Sequence, residues 1–598
     1  MVLAMGEGHV ARVLRQQVER YGKRAALRYR TAGGWHDVSW AGFGERVTAV
    51  ARALVALGVR EQEPIAIFSP NRPEWTMVDV GALTIRAVPV PIYATSTASQ
   101  AAYIVADAAI RVVFVGGAEQ YAKVRSIDGA ERLRVVALDP SICVDAGEGS
   151  LSFDDFLALG RNPATSDEVE ARMARGCADD LLTLIYTSGT TGEPKGVMLT
   201  HGNMLAALHS HDLRLLDPND GDVSLCFLPL AHVFERCWTY YALSKGMVNC
   251  YLDDPANVIQ ALGEVRPTVM CAVPRFYEKI YAAVQSKLET APAHKRLLFR
   301  WAVEVGRAWG LRRKDELPIP LHLRLRHAVA DALVLGKLRA LCGGRIKFFP
   351  CAGAPLSQEI EEFFHALGIF VCYGYGLTET TATVSCHEPS RFRFGTVGRP
   401  MPGVEVRIGE ADEILVRGKT VMKGYFNKPE ATAEVLVDGW FRTGDAGRLD
   451  PDGLLVITDR LKDLFKTSAA KYVAPQVLES RIGADPWIEQ IAVFGDRRNY
   501  VTALLVPAFA RLEEHARAQG IRFGSREELC ARPEIVALYQ ERINLHNRDF
   551  ARHEQVKRFT LLPSELTVES GGMTPTMKVK RNRVAEQYRA EIDAMYRD

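Results

Sequence analysis

Apolar and polar positions along the first part of the chain switch between two periods. Trp40 to Gly58 carries apolar residues at helical spacing and is followed by the short apolar run Pro64-Ile65-Ala66-Ile67-Phe68, which reads as a buried strand. The pattern then repeats: Pro73 to Arg86 is helix-like, Ala87-Val88-Pro89-Val90-Pro91 strand-like, and Ile110 to Val115 supplies another strand. Helices alternating with apolar strands predict mixed or parallel sheets covered by helices. A further strand is expected at Leu181 to Ile185. From about 281 to 345 an arginine-rich helical insertion is expected, with Leu298, Ala302, Val305 and Trp309 on one face and Arg300, Glu304, Arg307, Arg312 and Arg313 off it. That face either packs on the core or meets a membrane surface or protein interface. The turn Asp450-Pro451-Asp452-Gly453 leads into a strand, Gly453 to Thr458, and a compact α+β pattern follows to the end. The expected fold is α/β: a large N-terminal domain of mixed sheets covered by helices, residues 1–459, and a small α+β C-terminal domain, residues 460–598.

Composition narrows the class. The 598 residues are 47% hydrophobic and 24% charged, as in a soluble globular protein. Lys and Arg (74) nearly balance Asp and Glu (72), so the formal charge of +2 gives no argument for a nucleic-acid partner. Eleven cysteines without a Cys-x-x-Cys pair argue for reduced thiols in a cytosol and against a zinc site. Met1 to Arg12 lacks a basic segment followed by an apolar run, and no stretch approaches the roughly 20 apolar residues that span a bilayer. The expectation is a cytoplasmic protein, with peripheral membrane contact left open.

The run Tyr186-Thr187-Ser188-Gly189-Thr190-Thr191-Gly192-Glu193-Pro194-Lys195-Gly196 carries the chemistry. Its glycines let the backbone approach an anion, while hydroxyls and a lysine offer donors at short range. Thr and Ser hydroxyls can also ligate a magnesium ion that arrives with phosphates. The spacing is not Walker A, and Gly418-Lys419-Thr420 fails that pattern too, because Glu413 stands where its first glycine belongs. A polar hairpin turn is the alternative for the loop taken alone.

Five further blocks remove that alternative: Phe227-Leu228-Pro229-Leu230-Ala231-His232-Val233-Phe234-Glu235, Tyr373-Gly374-Tyr375-Gly376-Leu377-Thr378-Glu379-Thr380, Asp438 to Asp445, Asp459 to Lys466, and Thr574-Pro575-Thr576-Met577-Lys578-Val579-Lys580-Arg581. In order and spacing, the six resemble the motifs of the adenylate-forming superfamily: acyl-CoA synthetases, luciferases and adenylation domains. The resemblance covers nearly the whole chain. It implies ATP, Mg2+ and a thiol co-substrate, with Thr187, Ser188, Gly189, Thr190, Thr191, Gly192 and Lys195 around the phosphates and Thr190 and Glu379 handling the metal. Tyr375 would stack on adenine beside Gly376 and Thr378, with Gly353, Ala354 and Pro355 on the other side of the base. Asp445 would accept hydrogen bonds from the ribose hydroxyls, assisted by Arg460, and Lys471 would add a further nucleotide contact.

Catalysis by this route needs no protein nucleophile. Two anions, a carboxylate and ATP, must be held together while extra charge builds on the α-phosphate. By resemblance Lys578 bridges the acyl carboxylate and that phosphate, and His232 orients the carboxylate without acting as a base, since a carboxylate is already ionised at neutral pH. The C-terminal domain would be mobile, swinging about Lys462 so that Lys466 replaces Lys578 for attack of the thiol. Two departures from the family pattern are visible. Ala469-Ala470 stands where many relatives have glycine, which could reshape the thiol channel, and Phe349-Pro350-Cys351-Ala352-Gly353 replaces a Ser-Gly-Gly start.

Val273-Pro274-Arg275-Phe276-Tyr277-Glu278-Lys279 and the insertion after it resemble the long-chain fatty acyl-CoA synthetase branch, as does the glycine-free Met577-Lys578 end. The expected substrates are a long-chain fatty acid, ATP and coenzyme A. Three rivals remain: a fatty-acyl-AMP ligase that serves a carrier protein, an adenylation domain of a peptide assembly line, and a catalytically silent lipid-binding scaffold.

Overall fold

The first sheet is built on short apolar runs buried on both faces and closed by the more polar edge strand Ser150–Ser152. Val88–Ile92, Pro64–Phe68, Val112–Val115, Arg134–Ala137 and Ser150–Ser152 lie side by side in that order, all parallel. Pro89 and Pro91, which cannot donate to a ladder, sit in its edge strand. The computed structural model describes residues 8–145, 149–187, 193–460, 465–468, 472–548, 550–567, 569–574 and 579–597.

A second sheet joins Gly34–Ser39, Ala25–Thr31, Val248–Tyr251 and Val223–Cys226. Single bridges through Val269 and Ala272 continue it to the parallel pair Phe348–Cys351 and Phe370–Tyr375. A three-stranded antiparallel sheet holds Leu181–Thr187, Lys195–Thr200 and Gly424–Tyr425, and a five-stranded antiparallel sheet runs from Val404 to Arg460. One large core, including Trp40, Phe114 and Trp238, fills the space between these layers and their helices. A separate core within Phe465–Met595 packs helices on the strands Ile488–Phe494, Val501–Pro507 and Val556–Leu561.

The helical insertion begins earlier than its polarity suggested, since Tyr281 lies inside the helix Pro274–Glu289. The next helix, Ala293–Lys314, buries Ala302, Val305 and Gly306. Gly306 must be glycine because a Cβ there would lie 2.1 Å from the carbonyl oxygen of Ala366 in the neighbouring helix Gln358–Ala366. All eleven cysteines are free thiols, nine of them buried, and burial pushes the Cys237 thiol up to about 12. Among the described residues no helix is long and apolar enough to cross a membrane.

The first helix, Val10–Tyr21, docks through a pair of stacked, fully buried histidine rings, His9 and His201, with centroids 3.5 Å apart. His201 Nδ1 accepts from the Val10 amide at 3.1 Å. Burial, then the nearby Arg12 charge, lowers His9 to about 4, and burial holds His201 well below its usual value. Both rings are therefore neutral when folded but would take protons near pH 6.5 when unfolded. Stability should be flat above pH 6.5 and fall as pH drops from there toward 4, by about 1.4 kcal/mol per unit per ring. Urea unfolding between pH 4.5 and 7 should show this slope, and His9→Gln should reduce it by about one proton.

Candidate active site

The phosphate-type loop closes a hairpin. Leu181–Thr187 pairs antiparallel with Lys195–Thr200, Thr187 opposite Lys195 and Tyr186 opposite Gly196. The pairing fixes both ends of the loop, while Ser188, Gly189, Thr190, Thr191 and Gly192 lie outside the described residues. On the other edge of Lys195–Thr200, Tyr425 pairs with Val197. Its ring lies 4.9 Å from Lys195 Nζ, and its hydroxyl donates to Glu379 Oε1 at 2.9 Å. The loop end, Tyr425 and Glu379 thus form one group. Burial first, and then the Glu379 carboxylate, raises the Tyr425 phenol and keeps it protonated as a donor.

Backbone strain marks the same place. Glu379 sits in the 3-10 turn Thr378–Thr380, and the two residues after it, Thr381 and Ala382, both have positive φ, +52° and +56°. A β-branched residue in that region costs of order 1–3 kcal/mol and persists only where its surroundings hold it. Here Thr381 Oγ1 donates to the Thr420 carbonyl at 2.7 Å. Gly376 answers to the same packing, because a Cβ there would come within 2.3 Å of the Ala382 backbone.

A second group forms at the carboxyl ends of the parallel strands Phe348–Cys351 and Phe370–Tyr375, where α/β sheets commonly bind ligands. The Tyr375 hydroxyl donates to Asp445 Oδ2 at 2.5 Å, joining two residues that the sequence assigned to base and ribose. Asp445 is buried and stands opposite Arg460 in the strand register. Beside them Gly353, at φ +94°, Ala354 and Pro355 form an exposed loop, anchored where the Tyr373 hydroxyl donates to the Ala354 carbonyl at 3.2 Å.

His232 lies at the N-terminus of the helix Val233–Ser244, and its Nδ1 accepts from the Phe234 amide at 3.1 Å. In the neutral ring the proton is therefore on Nε2, so a donor and a helix N-terminus are placed together, an arrangement suited to a carboxylate. Two residues that the motifs left without a role hold this segment. Asn71 donates to the Leu228 carbonyl at 2.8 Å and accepts from the Leu230 amide at 2.9 Å. Glu235 accepts from the Leu228 amide at 3.3 Å, and burial pushes its carboxyl up to about 8, which keeps it neutral at physiological pH.

A small apolar cavity of about 40 Å³ opens beneath Tyr375, bounded by Phe234, Cys237, Trp238, Cys351, Cys372 and Met401. His211 also lines it, held neutral by burial with its value lowered to about 4. The cavity and the Tyr375–Asp445 pair share one wall, so an apolar tail and a nucleotide could meet near His232.

Among the described residues no cluster of His, Cys, Asp or Glu could hold a metal alone. Glu379, one positioned carboxylate beside a phosphate-type loop, fits a magnesium ion whose remaining ligands are phosphate oxygens and water. Lys462, Ala469, Ala470, Lys471 and Lys578 lie outside the described residues, and of Lys466 only the backbone, opposite Tyr472, is described. The ends of the segment carrying Lys578 are pinned by a bridge between Met573 and Val579. The C-terminal core touches the large domain through Arg275 to Glu489 at 2.7 Å, Arg511 to Glu289 at 2.5 Å, and the Ser480 hydroxyl to the Pro355 carbonyl at 3.3 Å. Partly exposed pairs of this kind are worth about 0–1 kcal/mol each, so these contacts resist rotation only weakly.

Tyr425 could not be found from sequence, because it meets Glu379 across 46 residues and carries no local signal of its own. Tyr425→Phe removes a hydrogen bond to a charged group, worth about 1.5–3 kcal/mol. Stability should fall by about that amount, and the still-folded variant should lose about tenfold or more in pyrophosphate exchange, with a raised requirement for Mg2+. A Mg2+ titration of the variant checks this.

The ends of the glycine-rich loop, the Glu379 carboxylate beside them and the Tyr375–Asp445 pair next to an apolar cavity bring together residues from four of the six sequence blocks. The chain belongs to the AMP-binding enzyme family of the adenylate-forming superfamily: the family model matches residues 14–426, and a second, for the AMP-binding enzyme C-terminal domain, matches 462–598. It is similar to the long-chain-fatty-acid--CoA ligase FadD15 of Mycobacterium bovis, 36% identical over 94% of this chain and 93% of the relative. It is also similar to the fatty acyl-CoA synthetase A of Dictyostelium discoideum, 32% identical over 94% and 86%. Among solved structures, the adenylation domain of a carboxylate reductase from Mycobacterium chelonae aligns over 100% of this chain and 94% of its own, with TM-score 0.76 at 23% identity. The likeness to that domain is one of fold.

Proposed function

We propose that the protein joins a long-chain fatty acid to coenzyme A with ATP, through an acyl-adenylate. The observation that carries this reading is the apolar cavity sharing a wall with the Tyr375–Asp445 pair. A fatty-acid tail would widen this small cavity as it entered, and its carboxylate would then lie toward His232 and the α-phosphate. Each buried methylene would contribute about 0.8 kcal/mol, so cavity depth would set chain preference. In the first step a carboxylate oxygen bonds to the α-phosphorus and pyrophosphate leaves, with Lys578 holding both anions and Thr187, Lys195 and the loop between them holding the departing phosphates. Mg2+ at Thr190 and Glu379 would neutralise phosphate charge. In the second, the thiol sulfur bonds to the acyl carbonyl carbon and AMP leaves.

The same proposal places a boundary near 459 and 460, with the C-terminal domain turning about Lys462 between the steps to bring up Lys466 and with Arg460 and Lys471 on the nucleotide. It also includes a cytoplasmic location with peripheral membrane contact. The ligase names of the similar proteins in Mycobacterium and Dictyostelium support coenzyme A over a carrier protein as acceptor. Incubation with ATP, Mg2+ and a ladder of fatty acids, with and without coenzyme A, followed by mass spectrometry, tests it. Acyl-CoA from the longer acids is expected. Acyl-AMP accumulating in the presence of coenzyme A would instead implicate Ala469-Ala470 and a different acceptor.

A further inference from the structure

The apolar face of Ala293–Lys314 is packed, but the helix after it turns an apolar face outward. Residues 321–340 form one continuous helix: Leu321–Ala330, a wider π turn at Asp331–Leu335, and Gly336–Ala340. Leu323, Ala330 and Leu335 are buried, and the His327 ring stacks on Trp309 of the preceding helix at 4.2 Å. On the opposite side Leu321, Leu325, Val329 and Leu333 are 71%, 62%, 50% and 47% exposed. Single exposed leucines are ordinary, but four at every fourth position make a stripe. A four-residue spacing drifts around an α-helix, and the wider π turn reduces that drift where Leu333 enters.

Charge brackets the stripe. Successive residues of a helix are about 100° apart, which places Arg324 and Arg326 on the two borders of the face centred on Leu325. Both are exposed, and neither forms an ion pair among the described residues. Residues 293–341 hold eleven Lys and Arg against four Asp and Glu, a formal +7 in a chain whose total is +2, which leaves −5 on the remainder.

We infer that this face seats on an anionic lipid bilayer, Leu321, Leu325, Val329 and Leu333 entering the headgroup boundary while Arg324 and Arg326 meet lipid phosphates. An apolar stripe bordered by arginines has the chemistry of an interfacial helix, whose long basic side chains reach past the apolar edge to the headgroups. The uneven charge gives the docking a direction, because an anionic surface attracts the insertion and repels the rest of the chain. A second copy is the poorer occupant, since a symmetric pairing of these faces would oppose two segments of +7. The inference gives the peripheral membrane contact proposed above a surface and a lipid class, and it does not depend on which acid the enzyme activates.

Co-sedimentation of the full chain with phosphatidylglycerol-containing vesicles tests it, with pure phosphatidylcholine vesicles as the second arm. Binding to the anionic vesicles is expected, weakened by high salt and by the neutral lipid. Leu325→Asp with Val329→Asp should lower partitioning at least tenfold. Arg324→Gln with Arg326→Gln, conservative changes on an exposed face, should lower it by about thirtyfold, at roughly fivefold per arginine near an anionic surface. Turnover of a short, water-soluble acid without vesicles should be unchanged in both. Failure of the parent protein to bind vesicles, or equal binding by the variants, overturns the inference. So does a concentration-dependent dimer in the parent that disappears in the aspartate variant, which would identify a second copy as the occupant.

Discussion

Lys578→Ala is expected to lower acyl-adenylate formation by about 10²–10³-fold, the usual cost of removing one donor aimed at developing charge. The same variant, given synthetic acyl-adenylate and coenzyme A, is expected to form thioester within a few fold of the parent rate. The difference follows from where charge builds. In the proposed first step two anions converge on the α-phosphorus and the lysine would span both. In the second the thiol attacks a carbonyl, AMP leaves, and the C-terminal domain would have carried Lys578 away. Met573 and Val579, which flank the segment, are bridged to each other and packed in the C-terminal core, so the proposal has the lysine move with that domain. Rapid-quench assays of the two half-reactions check the claim; equal losses in both would refute the exchange of domain faces. Lys466→Ala should show the converse pattern.

A large loss of stability is expected from Asp79→Ala. Asp79 and Arg236 are an ion pair with both side chains 1% exposed. The Tyr240 hydroxyl donates to Asp79 Oδ2 at 2.5 Å, and Arg236 reaches Thr183 Oγ1 at 2.5 Å. Thr183 in turn donates to the Pro89 carbonyl at 2.6 Å. The network therefore ties the helix Pro73–Thr84 to the His232 helix, to the strand entering the phosphate-type loop, and to the edge of the parallel sheet. Truncating Asp79 leaves a buried guanidinium without its partner, which costs about 3–5 kcal/mol, a large part of the 5–15 kcal/mol, roughly, that a domain has in total. Adding Arg236→Met removes the stranded charge and should recover much of the loss. Urea unfolding of the parent, single and double variants decides the matter: a double variant no more stable than the single would show that the cost is lost packing instead of an uncompensated charge.

Much of the fold was legible because period and burial agree. Pro64–Phe68 is buried on both faces and reads as a continuous apolar run, and Trp40–Ala56 has the helical period it shows. The helical insertion was legible as helices but not as a surface. Both Ala293–Lys314 and the helix after it are amphipathic, and periodicity cannot say which apolar face finds a partner. Only the close approach of Gly306 to Ala366 settles that the first is covered. Within the candidate site, Glu379, Tyr375, Asp445 and His232 were legible because each lies in a block of neighbouring residues. Asn71 and Tyr425 were not, because their work is done on residues 157 and 46 positions away, and a single asparagine or tyrosine has no pattern. Glu235 sat in plain view inside a motif, but its neutral state comes from burial, which sequence does not display.

The account stands on an acyl-adenylate formed before the thiol enters. Fatty-acid-dependent exchange of labelled pyrophosphate into ATP, measured in the absence of coenzyme A, tests that directly. Rapid exchange that requires a long-chain acid and Mg2+ is the predicted result. Exchange that appears only when coenzyme A is present, or AMP production without any exchange, would contradict it.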